Sequence, residues 1–370
     1  MMAIASYLRT AEQQDDLAPD FSTNDNVSLD ELSLFLAGGV GNHVGGFVQG
    51  TYDGVDESWA LDNVDLRVAA TATVKGANVV LGASLNNSPT VQDIWNSLPG
   101  FGYPYTDSAL APGPSAAPVI ADSFAQNTIG LTGYAWINSS VYIEAGGYRS
   151  LSASVLDNLG VDPGETMKIK GVAPYARIAY QKNWGDQNIE VGAFGLFSHV
   201  FPERDTTAGV TDRITDLGID ASYQLFRANK DVFTINGRYT HESQRLPASQ
   251  FLVLAANAKN TLQDIRIDAS YYWQNKFGLT AGAFNSWGSS DPQLYSYSRT
   301  FSPNSSGLLF QIDATPFGGS NSPLGPRFNL RVGAQYITYF RIDGASNNFD
   351  GFGRDASDNN TFRIFGWTVY

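Results

Sequence analysis

The chain has 370 residues, a net charge of −13 at pH 7, 16% charged and 13% aromatic residues, 37 glycines and no cysteine. An acidic balance without any local Lys/Arg stripe argues against a nucleic-acid partner, and the lack of cysteine excludes disulfides, thiolate metal sites, a Cys nucleophile and thioether-linked haem within this chain. No apolar run reaches the roughly 18 residues of a spanning helix, so any crossing of a membrane falls to strands.

Taken in chain order, the opening MMAIASYLRTAEQQDD has neither a basic start nor a long apolar stretch, so it is not read as a signal peptide. Its first ten residues read as a strand near 2–9, which favours a mature or trimmed start. Strands follow near 29–39, 43–53, 61–74 and 77–87, where LDNVDLRVAA sets Val64, Leu66, Val68 and Ala70 against Asn63, Asp65 and Arg67. After a connection over 88–126 come strands near 127–138, 141–151, 171–183 and 187–202. The next, near 213–227, opposes Leu217, Ile219, Ala221, Tyr223 and Leu225 to Asp220, Ser222 and Gln224. Strands near 231–245 and 260–275 include LQDIRIDASYYW, with Ile265, Ile267, Ala269, Tyr271 and Trp273 on one face and Asp264, Arg266, Asp268, Ser270 and Tyr272 on the other. Strands near 277–289, 306–317, 327–342 and 359–370 complete the set, the closing FRIFGWTVY being rich in aromatics.

That makes about sixteen strands of roughly 10 to 14 residues, longer than the usual soluble strand and long enough to cross a bilayer at a tilt. Tight turns such as VGNH, VKGA, INSS, WGDQ, ANKD and QNK alternate with connections expected to be long and polar; TPFGGSNSPLGPR is an exception, long where a short turn is expected. The expected fold is therefore all-β: one closed antiparallel transmembrane β-barrel over residues 1–370, with short periplasmic turns and long extracellular loops, in a bacterial outer membrane. A soluble sandwich of this size would show shorter strands and fewer aromatics on the outer face.

With the apolar faces toward lipid, the polar faces line the lumen. Glu31, Gln49, Asp65, Arg67, Arg177, Asp220, Arg238, Asp264, Arg266, Asp268, Asp313, Arg331 and Gln335 are expected there, either lining a channel or forming a network that holds the barrel round. The connection over 88–126 exceeds the ordinary loop ceiling of about 12–15 residues. It is expected to fold into or over the lumen, with Asp93, Trp95, Tyr103 and Tyr105 narrowing it. His43, His199 and His241 have no clustered carboxylates at metal-ligand spacing, and THES around His241 has no oriented third group for a hydrolase. The expectation is a chain that is not an enzyme and holds no metal.

The stretches FSTNDNVSLDELSLFLAGGVGNHVGGFVQGTYDGV, WALDNVDLRVA and LNNSPTVQDIWNSLPGFGYPY resemble the barrel portion of a bacterial family labelled cytochrome c-like outer-membrane proteins. The resemblance covers most of the first 150 residues, and the remainder only through its alternation. It implies haem c and electron transfer at the outer membrane, the haem being carried on a CxxCH segment ahead of the barrel. Since this chain has no cysteine, the haem would stand on an upstream segment or on a partner c-type cytochrome. The alternative is a porin passing small solutes by diffusion; an adhesin or receptor barrel is a third class.

Overall fold

The computed structural model describes residues 1–14, 20–99, 105–164, 166–317, 322–325 and 327–370. Its strands are β1 (Met2–Thr10), β2 (Asn26–Val40), β3 (Val44–Asp53), β4 (Ser58–Val74), β5 (Ala77–Asn86), β6 (Thr128–Ile137), β7 (Val141–Ser150), β8 (Lys168–Ile169), β9 (Ala173–Trp184), β10 (Gln187–Phe201), β11 (Asp212–Phe226), β12 (Val232–Arg245), β13 (Lys259–Trp273), β14 (Phe277–Gly288), β15 (Ser305–Ala314), β16 (Asn329–Arg341) and β17 (Thr361–Val369). β8 is a two-residue stub on β10, in line with β9; the other sixteen form the wall. Two short helices, α1 (Ala153–Asn158) and α2 (Pro247–Phe251), sit in connections.

Each wall strand pairs antiparallel with its sequence neighbours, and β1 pairs with both β2 and β17, so the sheet closes on itself. Closure leaves no strand edge unpaired, which the interior of a bilayer demands. The alternation becomes a division of environments: Ile219 is 59% exposed beside Asp220 at 3%, and Ile312 is 59% exposed beside Asp313 at 6%. The apolar side chains face outward as a belt and the polar ones point to the axis.

Turn chemistry sets the layout of the ends. Lys75 and Gly76 form a two-residue hairpin with both φ angles positive, the arrangement that matches the twist of the flanking strands. On the opposite end the β3–β4 connection corrects an expectation: it is only residues 54–57, because β4 begins at Ser58 and not near 61. Asp53 closes this turn by accepting from the Val55 and Asp56 N–H groups. The TPFGGSNSPLGPR turn is long, with residues 318–321 and 326 outside the described residues.

Two bulges place inward residues that strict alternation would send outward. Ile4 pairs with Glu31 and Ala5 with Leu29, so Asp30 is the extra residue, and Asp30 and Glu31 both turn to the interior. Between Val48/Val64 and Gly50/Leu61, Gln49 opposes two residues, Asp62 and Asn63, which both reach inward groups: Thr51 donates to Asp62 and Asn63 to Gln49.

Candidate functional site: a segment inside the barrel

The connection between β5 and β6, residues 87–127, touches strands around the whole wall. Asn87 bonds Asp62 and Val64 of β4, Gln92 reaches Glu144 and Tyr148 of β7, and Ser97 donates to Asp220 of β11. Val119 meets Glu242 of β12, while the Thr106 carbonyl accepts from Gln335 of β16 and Arg363 of β17. A single segment can reach such distant sectors of a closed wall only from within, so its described residues, 87–99 and 105–127, lie in the lumen.

Its first half is anchored by Arg177. The guanidinium grips Asp220 with both amino groups, each at 2.8 Å, and adds Glu190 at 3.1 Å and Asp93 of the segment at 3.4 Å. The other Asp93 oxygen accepts from the Ser97 and Leu98 N–H groups and so shapes the turn itself. Trp95 lies 5.3 Å from Arg177 ring to guanidinium, packs edge-on against Tyr142, and donates its indole N–H to Gln181 at 2.6 Å. Arg67 supports the same half by donating to the Gln92 carbonyl while paired with Asp65. Three carboxylates around one buried guanidinium make Arg177 the electrostatic centre of this wall.

The second half is held by apolar burial. Leu98, Val119, Ile120 and Phe124 form one core with Ile169 of β8 and with Tyr148, Tyr175, Phe194, Leu196, Val200 and Ile214 of the wall. Each such side chain contributes about 1.5–3 kcal/mol when fully buried. Gly218 leaves room for the Phe194 ring, which a Cβ there would meet at 2.2 Å. Polar ends complete the seat: Gln126 donates to Asp62, Ser115 to Asp343, and the Tyr339 hydroxyl to the Pro112 carbonyl.

All thirteen side chains expected at the lumen lie on the inward face, in different settings. Arg177, Asp220 and Gln335 are sealed beneath the segment and bond to it. Asp264 is buried between Arg238 and Arg266, Gln49 is covered among Glu31, Ser33 and Thr51, and Asp313 holds Arg331 at 2.9 Å. Arg67 and Asp65 form a pair. Glu31 and Asp268 are half-buried, and Arg266 remains exposed. Of the expected narrowing residues, Asp93 and Trp95 sit against Arg177, Tyr105 lies over Gly282 of β14, and Tyr103 falls outside the described residues. His241 is on the outward face, with its ring at 3.1 Å from the Gln263 amide.

Several participants were not singled out from the sequence: Asp30, Asp62, Glu144, Glu190, Asp216, Glu242 and Arg363. Glu144, Glu190, Asp216, Glu242 and Arg363 have the inward parity of their strands, so periodicity carried their signal, whereas Asp30 and Asp62 are turned inward by bulges that strict alternation does not show. Arg363 is 1% exposed and ties Asp30, Ser6 and the Thr106 carbonyl together.

The other half of the lumen, toward the short turns, is lined by Thr71, Thr73 and Asn183, which are exposed, and by Asn188, Gln224, Thr234 and Asn236, which are half-buried. Above the opposite rim, three connections are tied to one another. Asp291 accepts from the Ala256 and Asn257 N–H groups and from Asn260, and Arg299 donates to the carbonyls of Asn347 and Asn348. Burial pushes the Asp291 carboxyl up, but the donors from Ala256, Asn257, Asn260 and Leu294 together outweigh it and hold its pKa down at about 2.

No protein-family model matches the chain, and no curated protein matches it. Solved structures do. The outer membrane channel DcaP of Acinetobacter baumannii is similar at a TM-score of 0.52 and 11% identity, over 100% of this chain and 95% of that one. An anion-selective porin from Comamonas acidovorans gives 0.49 and 11%, over 100% and 98%, and OmpT of Vibrio cholerae, in its trimer form, 0.49 and 10%, over 100% and 97%. At these identities the likeness is one of fold. Together with the outward apolar belt and the closed sixteen-strand wall, the likeness to DcaP makes the chain an outer-membrane β-barrel of porin-like architecture.

Proposed function

We propose that the barrel is a diffusion porin for small hydrophilic solutes, with residues 87–127 as its constriction. The observation that carries this reading is the segment itself, bonded to β4, β7, β11, β12, β16 and β17 from inside. Amides and hydroxyls line the half it leaves, a surface suited to water and polar solutes. Pairing consumes most of the inward charge: Arg177 with Asp220, Arg331 with Asp313, Arg363 with Asp30, Arg67 with Asp65. Glu31, Asp62 and Asp268 remain against one exposed arginine, Arg266, so the passage favours cations.

Planar bilayers test this. Discrete open-channel currents, with a reversal potential displaced toward the cation in a salt gradient, are expected. A barrel that inserts, as shown by heat-modifiable migration, and carries no current would overturn the reading.

Electron transfer with a haem c carrier is the second reading. It draws on the resemblance of LNNSPTVQDIWNSLPGFGYPY to the cytochrome c-like family, a stretch whose described residues run from the end of β5 into the lumen segment. The haem would then sit on an upstream segment or a partner cytochrome. Haem absorbance co-purifying with the barrel from its native membrane supports this second reading; a haem-free preparation that conducts ions sinks it.

A further inference from the structure

We propose that Asp216 and Glu242 seat the second half of the lumen segment through one shared proton, so that the segment's hold on the wall responds to pH. The effect on solute passage rests on the porin reading; the clamp itself does not.

The two carboxyls stand directly opposite each other on β11 and β12, each 1% exposed. Both receive the segment: Val119 N–H donates to Glu242 Oε2 at 2.6 Å and Ile120 N–H to Asp216 Oδ2 at 2.8 Å. Gln244 fills the other Glu242 oxygen. Asp216 Oδ1 is buried and has no donor. Two ionised carboxylates at this separation, away from water, repel strongly. One proton between them removes the repulsion and gives Asp216 Oδ1 its missing bond.

Among the described residues no paired arginine does the same work. β10 presents Leu196 opposite Asp216 and β13 presents Leu262 opposite Glu242. Asp264, the next inward residue of β13, is committed to Arg238 and Arg266. Along β11, Asp212 caps α2 at Ala248 and Ser249, and Asp220 is held by Arg177. On β12, His241 points outward. The Tyr295 hydroxyl approaches from the rim and is neutral over the working range. Among the described residues no Lys or Arg makes an ion pair with either carboxyl, in contrast to the Arg177 anchor of the first half. When the proton leaves to solvent, the pair becomes doubly negative, its side chains separate, and the bonds to Val119 and Ile120 loosen.

The chain's lack of cysteine permits a direct test. Single variants Ala117→Cys, beside the clamp and half-buried, and Gly113→Cys, exposed with open space at its Cβ, are labelled with a membrane-impermeant maleimide from about pH 5 to about pH 9. Each rate is divided by that thiol's own ionised fraction, read from its thiolate absorbance over the same pH range, before the ratio is taken. The ratio is expected to rise several-fold with pH and to stay low and flat when Glu242→Gln is added, since the neutral amide keeps the seat without a proton. Asp216→Asn is the parallel variant, with heat-modifiable migration confirming the folded barrel in each. A flat ratio in the parent background, or an undiminished rise in the folded Glu242→Gln barrel, overturns the proposal. A rising ratio in a folded barrel that carries no bilayer current supports the clamp and removes the porin reading.

Discussion

Two sets of long connections leave the same end of this barrel, and they are held in opposite ways. Residues 87–127 are gripped by side chains that project from the wall: Arg177, Asp220, Glu242, Asp216, Gln335 and Arg363. The connections after β12, β14 and β16, residues 246–258, 289–304 and 342–360, are tied to one another through Asp291 and Arg299, and Asp355 holds its own connection at Asn348. The connection held along the inner face of many strands goes inside; those held mainly to one another and to strand ends, as at Asp212, stay over the rim. The difference teaches that the position of a loop was encoded in the strands' inward polar residues as much as in the loop.

The sharpest way to break the comparison is Arg177→Met. Removing the guanidinium leaves Asp93, Glu190 and Asp220 buried without a counter-charge, a loss of about 3–5 kcal/mol. Urea unfolding in detergent should show it, together with raised conductance as the first half of the segment is freed. If stability and conductance both stay at the parent values, the wall is not what anchors the segment.

Asp291→Ala should act on the rim alone. It leaves several N–H groups unsatisfied, a cost on the order of 1–3 kcal/mol, with conductance kept. The carboxyl's folded pKa of about 2 lies below the ordinary value of about 3.9. Its stabilisation is therefore complete above the ordinary value and is lost as pH falls from there toward 2. Acid unfolding of parent and variant should converge in that window; curves that remain parallel would show that the carboxylate form does not hold the rim.

Glu31→Gln with Asp62→Asn should shift the reversal potential toward zero without moving the melting temperature much, because neither carboxylate pairs with an arginine. A reversal potential equal to the parent's would place selectivity elsewhere. The smallest effect is expected at Ser115→Ala, which deletes one side-chain bond to Asp343 at an exposed site, at most about 1 kcal/mol. Thermal unfolding can read it, and a larger loss would mean that this contact seats the segment.

Much of the fold could be read from period-two patterning, because outward residues such as Ile265 and Ile267 meet lipid while Asp264 and Arg266 meet the interior. Each expected strand overlies an observed one, and the departures have local causes. The β3–β4 connection is short because Ser58, Trp59 and Ala60 extend β4, against Asp53, Tyr52 and Thr51 of β3. Asp30 was invisible to strict alternation because a bulge turns two successive residues inward. The candidate site was legible as a list of inward polar groups and as one overlong connection. What joins them was not: Asp93 meets Arg177 across 84 positions of sequence, and periodicity within a strand carries no information about a partner in a loop. Glu242 and Asp216 had the right parity, but their role depends on the Val119 and Ile120 N–H groups arriving between them.

Deleting residues 90–120 and measuring single-channel conductance tests the constriction most directly. The deletion leaves β5 and β6 paired and removes the anchors at Asp93, Ser97, Thr106 and Val119. A larger conductance than the parent's is expected from a barrel that still migrates as folded. An unchanged conductance in that folded barrel would contradict a lumen narrowed by this segment.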